Sequence, residues 1–223
     1  MYSMRDKRSG RGFNEFVGSH VDHPLATTQQ HVAWENSALR VECNEVHNVN
    51  TLEDRLAVRI VPAVDAYYAA TVVPLAPDGR VHLVGRYRYP VSRWSLEFPR
   101  FDLESGDSGW KDRAETDLFR ITGLQAEHMS LLGAIEIDPA LLSTSAVVIL
   151  AEGCRLAASQ KRTKAAASRR AASERSAEAD ETDDLVAGTL ALSLVELNEW
   201  VRHGQVTCGV TLAALSLYRA AMP

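Results

Sequence analysis

Residues 83–100, LVGRYRYPVSRWSLEFPR, run directly into 101–124, FDLESGDSGWKDRAETDLFRITGL, and the order of patterns across this join decides the fold. Within RVHLVGRYRYP (80–90), β-branched and aromatic residues alternate with polar ones, as a strand requires. Pro90 stops it, because proline has no N–H to give to a ladder. SGDSG (105–109) is a loop. From there Trp110, Ala114, Leu118 and Ile121 recur at near-helical spacing, and Gly123 follows the last of them. A glycine there closes a helix cheaply, because it takes the left-handed conformation without penalty. The stretch therefore reads strand, loop, helix.

The same reading extends outward. HVAWENSALRVECNEVHNV (31–49) and RLAVRIVPAVDAYYAATVVPL (55–75) carry strand alternation, and APDG (76–79) is a hairpin signal. HMSLLGAIEI (128–137) and SAVVILAEGCRL (145–156) predict two more strands. In LALSLVELNEWVRHGQVTCGVTLAALSLYRAAMP (190–223), Ser193 and Glu196 form a capping-box pattern, Gly204 ends that helix, and TLAALSLYRAA begins another. Strands, one helix, strands, then helices predict an α+β sandwich.

Two stretches lie outside the periodic pattern. Residues 1–30 are polar and aperiodic and read as a flexible tail; the basic start MYSMRDKRSGRGF is also compatible with the remnant of an organellar targeting segment. Residues 157–184 hold almost only Ala, Ser and charged side chains, basic first and acidic second, and cannot pack a core. They read as a low-complexity insertion, either flexible or an exposed Ala-rich helix. The expected organisation is a tail at 1–30, an N-terminal β subdomain at 31–70 and a larger domain at 71–223.

Composition narrows the function classes. The chain has 223 residues, 46% hydrophobic and 24% charged, with a net charge of −5. That balance suits a globular protein and supplies no global basic field for nucleic acid. No apolar run approaches a membrane span. Cys43, Cys154 and Cys208 lie far apart without a CxxC pair, which argues against a disulfide framework and for an intracellular, reducing setting, cytoplasmic or organellar (mitochondrial included) rather than secreted. The seven His residues form no HExxH-type cluster, and GxSxG, P-loop and Rossmann fingerprints are absent.

Three pieces in order resemble the ADP-ribose pyrophosphatase branch of the Nudix hydrolases: LVGRYRYPVSRWSLEFPR, the loop and helix of 101–124 ending TGL, and the C-terminal HGQVTCGVTLAALSLY. The resemblance spans about two-thirds of the chain and implies a Nudix-type α/β/α sandwich with an N-terminal antiparallel β subdomain, which in this family commonly builds a homodimer. It also implies Mg²⁺-dependent hydrolysis of nucleoside diphosphate sugars such as ADP-ribose. The Nudix box is G-x5-E-x7-R-E-U-x-E-E-x-G-U, with U aliphatic. Anchored on Gly123 and Leu124, it places Asp117 at the first metal-binding acid but Arg120 and Ile121 at the next two. The box Arg falls on Thr116 and the upstream Glu on Ser108 or Asp107, while Cys208 stands where the C-terminal motif usually has Asp.

Those departures bear on the chemistry. Mg²⁺ is held by carboxylate oxygens, and a helix presents three of them when they sit at i, i+3 and i+4. Here that set is Asp117, Arg120 and Ile121. A guanidinium about 4 Å from a divalent ion is repelled by several kcal/mol at an effective dielectric of ~20. Arg120 and Arg113 are also spaced to pair with Asp117.

The expectation is therefore a catalytically inactive Nudix-fold protein that binds a partner or builds an assembly. That assembly would be a homodimer, a larger protein complex or a ribonucleoprotein, with no membrane and no cofactor. Lys161, Arg162, Lys164, Arg169 and Arg170, in the basic half of the insertion, offer local RNA contact, although a solvated linker is the commoner meaning of such a run. The alternative is an active Mg²⁺-dependent nucleoside diphosphate-sugar pyrophosphatase. Its catalytic residues would come from Glu97, Asp107 and Asp117, and its metal ligands from Asp117, Glu97 and Glu104, with Asp102 also near. Glu181, Asp183 and Asp184, where some relatives carry a catalytic base, read more simply as an acidic linker end. A third reading is a metal-free nucleotide-binding sensor in which Arg88, Arg100 and Arg120 hold the diphosphate directly. Glu97 is as readily a loop-bonding residue, Arg88 a solvated strand residue, and Tyr87 and Trp94 core or interface aromatics.

Overall fold

A computed structural model describes residues 25–62, 67–104, 110–157 and 186–222. The chain divides into two compact units. The first is Met1–Tyr67 with Glu104–Gly106 and Asp138–Thr144; the second is Tyr68–Leu103, Asp107–Ile137 and Ser145–Pro223. Among the described residues no helix is long and apolar enough to cross a membrane. The charged insertion, with its arginines, lysines and acids, lies outside the described residues but for Ala157.

The first unit is an antiparallel sheet built on β3 (Leu39–Asn48). β4 (Glu53–Pro62) runs along one edge of β3, and β1 (Leu25–Gln29) and β2 (Val32–Glu35) lie end to end along the other. Strand side chains alternate between faces, so Glu42, Asn44 and Val46 are buried together. Glu42 is the polar centre of that face. It accepts from Arg59 Nε at 2.7 Å, Gln30 Nε2 at 2.8 Å and Asn44 Nδ2 at 3.1 Å, so the buried carboxylate is satisfied on both oxygens. The opposite face carries Trp34, Leu56 and Val58, all at least half exposed.

β1 corrects the expected tail, which ran to residue 30. All five of its side chains are exposed, so no apolar alternation marks it; its ladder with β3 makes it a strand. Asp138–Thr144 also belongs to this unit. Ile60 donates to Leu141 O at 2.8 Å and accepts from Ser143 N at 3.0 Å, a long-range pairing that local patterning does not reveal.

The second unit contains two main sheets. A mixed sheet has the order β10–β11–β5–β8, with β11 (Ser145–Glu152) parallel to β5 (Tyr67–Pro74) and antiparallel to β10 (His128–Glu136); β8 is Arg100–Glu104. An antiparallel sheet has the order β13–β6–β7, from Val186–Leu192, Val81–Arg88 and Arg93–Glu97. β9 (Leu124–Gln125) and β12 (Arg155–Leu156) form a small ribbon.

Alternation in the mixed sheet produces the layers. Val72 and Ile149 pack with Ala114 and Leu118 of α1 (Trp110–Thr122). Their neighbours Val73 and Leu150 point the other way. They pack with Leu197 of α2 (Leu194–Arg202) and with Ala214 and Leu215 of α3 (Gly209–Ala221). One helix on one face and two on the other make an α/β/α sandwich.

Local signals account for most boundaries. Gly79, at φ +82°, turns the β5–β6 hairpin, where Ala76 N donates to Arg80 O at 2.8 Å. Gly123, at φ +74°, closes α1 and donates to Phe119 O at 2.8 Å. Ser193 Oγ accepts from Glu196 N, and the Glu196 carboxylate accepts from Ser193 N at 2.8 Å, completing the capping box of α2. Ser193→Ala is expected to cost about 1 kcal/mol and to lower the melting temperature measurably.

β13 is another element the sequence pattern misses. VAGTLAL holds two alanines and a glycine, poor strand formers, and its residues continue into a helical apolar pattern. Pairing with β6 from Val186↔Arg86 to Leu192↔Val81 makes it a strand.

Candidate functional site around Asp117 and Glu97

α1 buries Ala114, Asp117, Leu118 and Thr122. Asp117 is only 2% exposed, yet both of its oxygens are occupied by its own helix. Arg113 Nε donates to Oδ2 at 2.6 Å from one turn before. Arg120 donates to Oδ1 through Nε at 3.0 Å and Nη2 at 2.9 Å from one turn after. The i,i+4 and i,i+3 spacing puts all three on one face, and the carboxylate is neutralised twice over. Ile121 lies elsewhere. It packs with the apolar cluster that also holds Leu118, Leu124 and Trp110, so the position aligned with a third box acid serves the core.

The second acid, Glu97, ends β7 and is 2% exposed. Arg88 of β6 grips it with a two-pronged ion pair, Nε to Oε1 at 2.9 Å and Nη2 to Oε2 at 2.5 Å. Burial alone pushes this carboxyl up. The Arg88 hydrogen bonds and charge, a Ser95 hydrogen bond and the charge of Arg100 overcome burial and hold Glu97 below the ordinary carboxylate range. The next residue is anchored separately: Phe98 N donates to the buried Thr211 Oγ1 of α3 at 3.0 Å. Spacing within the sequence gave no sign of this link between the end of β7 and the last helix.

Asp102, in β8, is exposed. Glu104 ends β8 but its side chain, like the whole of Asp107, lies outside the described residues. Among the described residues no three His, Cys, Asp or Glu side chains converge in a way that could hold a metal ion. Among the described residues around α1 the side chains do not fit Mg²⁺: Asp117 is saturated by two guanidiniums, and Arg120 brings a cation to the same helix face. Cys208, in place of the motif Asp, stands at the N-cap of α3 and makes no side-chain cap bond. Cys154 is buried and pushed up to about 12 by that burial, so it supplies no thiolate nucleophile near neutral pH.

The antiparallel sheet sets the remaining candidates. Its cross-strand pairs place Leu83, Gly85 and Leu96 on the face packed by α2 and α3, and His82, Val84, Arg86, Arg88, Arg93, Ser95 and Glu97 on the other. Arg86 is buried and Arg88 is partly exposed. Tyr87 and Trp94 pair edge-to-face across the strands at 5.8 Å, with Trp94 56% exposed. Arg88, named above as a phosphate-binding candidate, is thus committed to Glu97, and Arg120 is committed to Asp117.

No family model matches this chain, and no curated protein matches it in sequence. Among the 136 solved chains that match in structure is one described as the crystal structure of an ADP compounds hydrolase. It superposes with a TM-score of 0.69 at 14% sequence identity, over 91% of this chain and 96% of that one. At that identity the likeness is one of fold. The second unit is the Nudix-type α/β/α sandwich that the sequence resemblance implied, accompanied by an N-terminal antiparallel sheet.

Proposed function

We propose that this chain is a Nudix-fold protein that has given up metal-dependent hydrolysis at α1 and works as a binding or structural component of an assembly. The observation that carries the reading is the double occupation of Asp117 by Arg113 and Arg120. A divalent ion entering there would have to displace two charge-assisted pairs and then sit beside their guanidiniums. The exposed Trp34, Leu56 and Val58 face of the first unit supports a self-associating role, and we assign the assembly as a homodimer or a larger intracellular protein complex.

A second reading is an active Mg²⁺-dependent pyrophosphatase of nucleoside diphosphate sugars. The fold likeness to an ADP compounds hydrolase fits this reading better than it fits a purely structural role. Retention of buried Glu97 and Asp117 is compatible with it, with Glu104 and Asp107 as displaced ligands.

One experiment separates the two. Full-length protein is incubated with ADP-ribose and Mg²⁺ or Mn²⁺, and AMP release is followed. Release no faster than in buffer supports the non-hydrolytic reading; turnover near 1 s⁻¹ or above, the ordinary range for enzymes, overturns it. Light scattering on the same preparation is expected to give at least twice the monomer mass of 24.5 kDa.

A further inference from the structure

β4 is an outer strand of the first unit's sheet, and its backbone shows which way its polar groups face. Ile60 N donates to Leu141 O and Ile60 O accepts from Ser143 N, so both groups of Ile60 point away from β3. In an antiparallel strand a residue's N–H and C=O share one side, and that side alternates along the chain. The ten-pair register with β3 runs without a bulge, so Asp54, Leu56 and Val58 present their N–H and C=O outward as Ile60 does. Among the described residues no backbone group pairs with them there. The side chains of the same three residues are also open, Asp54 at 80% and Leu56 and Val58 at 68% and 50%. A flat edge of this kind templates pairing with another chain unless a bulge, a proline or a covering element blunts it. From Glu53 to Arg59, β4 has neither bulge nor proline.

We infer that the outer edge of β4, from Asp54 to Val58, accepts an extended segment of another protein as an added antiparallel strand. Main-chain hydrogen bonds supply the attraction, and directly opposed side chains choose the sequence. Apolar residues face Val58 and Leu56, an acid faces Arg55 and a base faces Asp54. Read in the incoming chain's own direction, the pattern is apolar, any, apolar, acidic, basic, about 17 Å of strand. Asp54 Oδ1 already meets His47 Nδ1 at 2.8 Å, and Oδ2 remains for the incoming base. The edge accepts extended backbone elsewhere along its length, since Leu142 bridges Ile60 in parallel. That same bridge disfavours a second copy as the occupant. Two β4 edges related by a two-fold axis at Ala57 would need the outward groups of Ile60, which Leu141 and Ser143 hold. An axis at Leu56 sets the Asp54 carboxylate against Val58 twice. The inference rests on the reading of the chain as a component of an assembly and names its partner class.

The test is fluorescence polarisation of the full-length protein with a labelled peptide, Val-Thr-Val-Glu-Lys between Gly-Ser flanks. Saturable binding is expected. Methylating the backbone nitrogen of the second Val, which faces Leu56, removes one ladder donor and keeps every side chain; binding should weaken about tenfold. Val58→Pro removes an outward N–H without touching the ladder to β3 and should weaken binding to a similar extent. Asp54→Lys, at an exposed position, should lose affinity for this peptide and gain it for one ending in Glu in place of Lys. No saturable binding, binding indifferent to the N-methyl group, or no exchange of preference in Asp54→Lys overturns the inference. So does a Val58→Pro protein that falls from oligomer to monomer mass in light scattering, because the edge then belongs to a second copy. The hydrolysis assay reads the other claim independently. Absent peptide binding with absent turnover removes the strand-accepting edge alone, whereas turnover of ADP-ribose removes the non-hydrolytic reading whatever the peptide does.

Discussion

Arg88→Met is expected to destabilise the second unit by about 3 kcal/mol at pH 7, among the largest single-residue losses in this chain. Glu97 is almost wholly buried, and removing its two-pronged partner leaves a desolvated carboxylate with only the Ser95 hydrogen bond and the charge of Arg100 to offset burial. Breaking a buried pair from one side costs more than the pair contributes, because the orphaned charge remains desolvated. The pH dependence gives the effect a signature. In the native protein Glu97 is held below its ordinary 4.5, so its contribution is present above that value and fades as pH falls through the depressed one. In Arg88→Met, burial, the largest influence on Glu97, is opposed only by the weaker effects of Ser95 and Arg100 and pushes the carboxyl up, so the variant gains stability as pH falls from 7 towards 5. Urea unfolding at both values checks this. A loss under 1 kcal/mol at pH 7, or a deficit that does not shrink at pH 5, contradicts the assignment.

The second large effect concerns α1. Converting Arg113 and Arg120 to Glu together surrounds buried Asp117 with two more acids on the same helix face. Without cations the variant should melt well below the native protein, since three carboxylates share a site that formerly held two guanidiniums. Millimolar Mn²⁺ should then restore several degrees of melting temperature, because an ion that binds only the folded state stabilises it. Native protein should show no such response. The scale of the contrast is set by one guanidinium beside a divalent ion, roughly 8 kcal/mol at 4 Å and an effective dielectric of 20. A variant that melts normally and ignores Mn²⁺ would show that these three side chains do not share a metal-sized space.

Much of this is legible in the sequence itself, and the reason is local. Gly79, Gly123 and the Ser193–Glu196 pair each act within a few residues, so their turn, stop and cap follow from spacing alone. The occupation of Asp117 was readable for the same cause: helix partners three and four residues away are fixed by geometry. Ile121 shows two local signals in competition. Box alignment put it on the metal face, but its step from Ala114 and Leu118 had already placed it in the apolar stripe, and packing settled it there.

What stayed hidden depends on register. β1 and β13 are strands because β3 and β6 offer them ladders, and neither carries the alternation that would announce them. Arg88 facing Arg93, and Arg88 reaching Glu97, need the β6–β7 pairing to be known. Thr211 holding the backbone of Phe98 joins residues 113 apart, a distance no window of sequence spans.

Mn²⁺ titration of the full-length native protein, followed by the EPR signal of the free ion, addresses the fate of the α1 site most directly. The free-ion signal should rise in proportion to added Mn²⁺ up to millimolar concentration, the same for native protein as for Asp117→Asn. Loss of two or three equivalents of signal at micromolar Mn²⁺, abolished in Asp117→Asn, would mean that the helix still gathers catalytic cations.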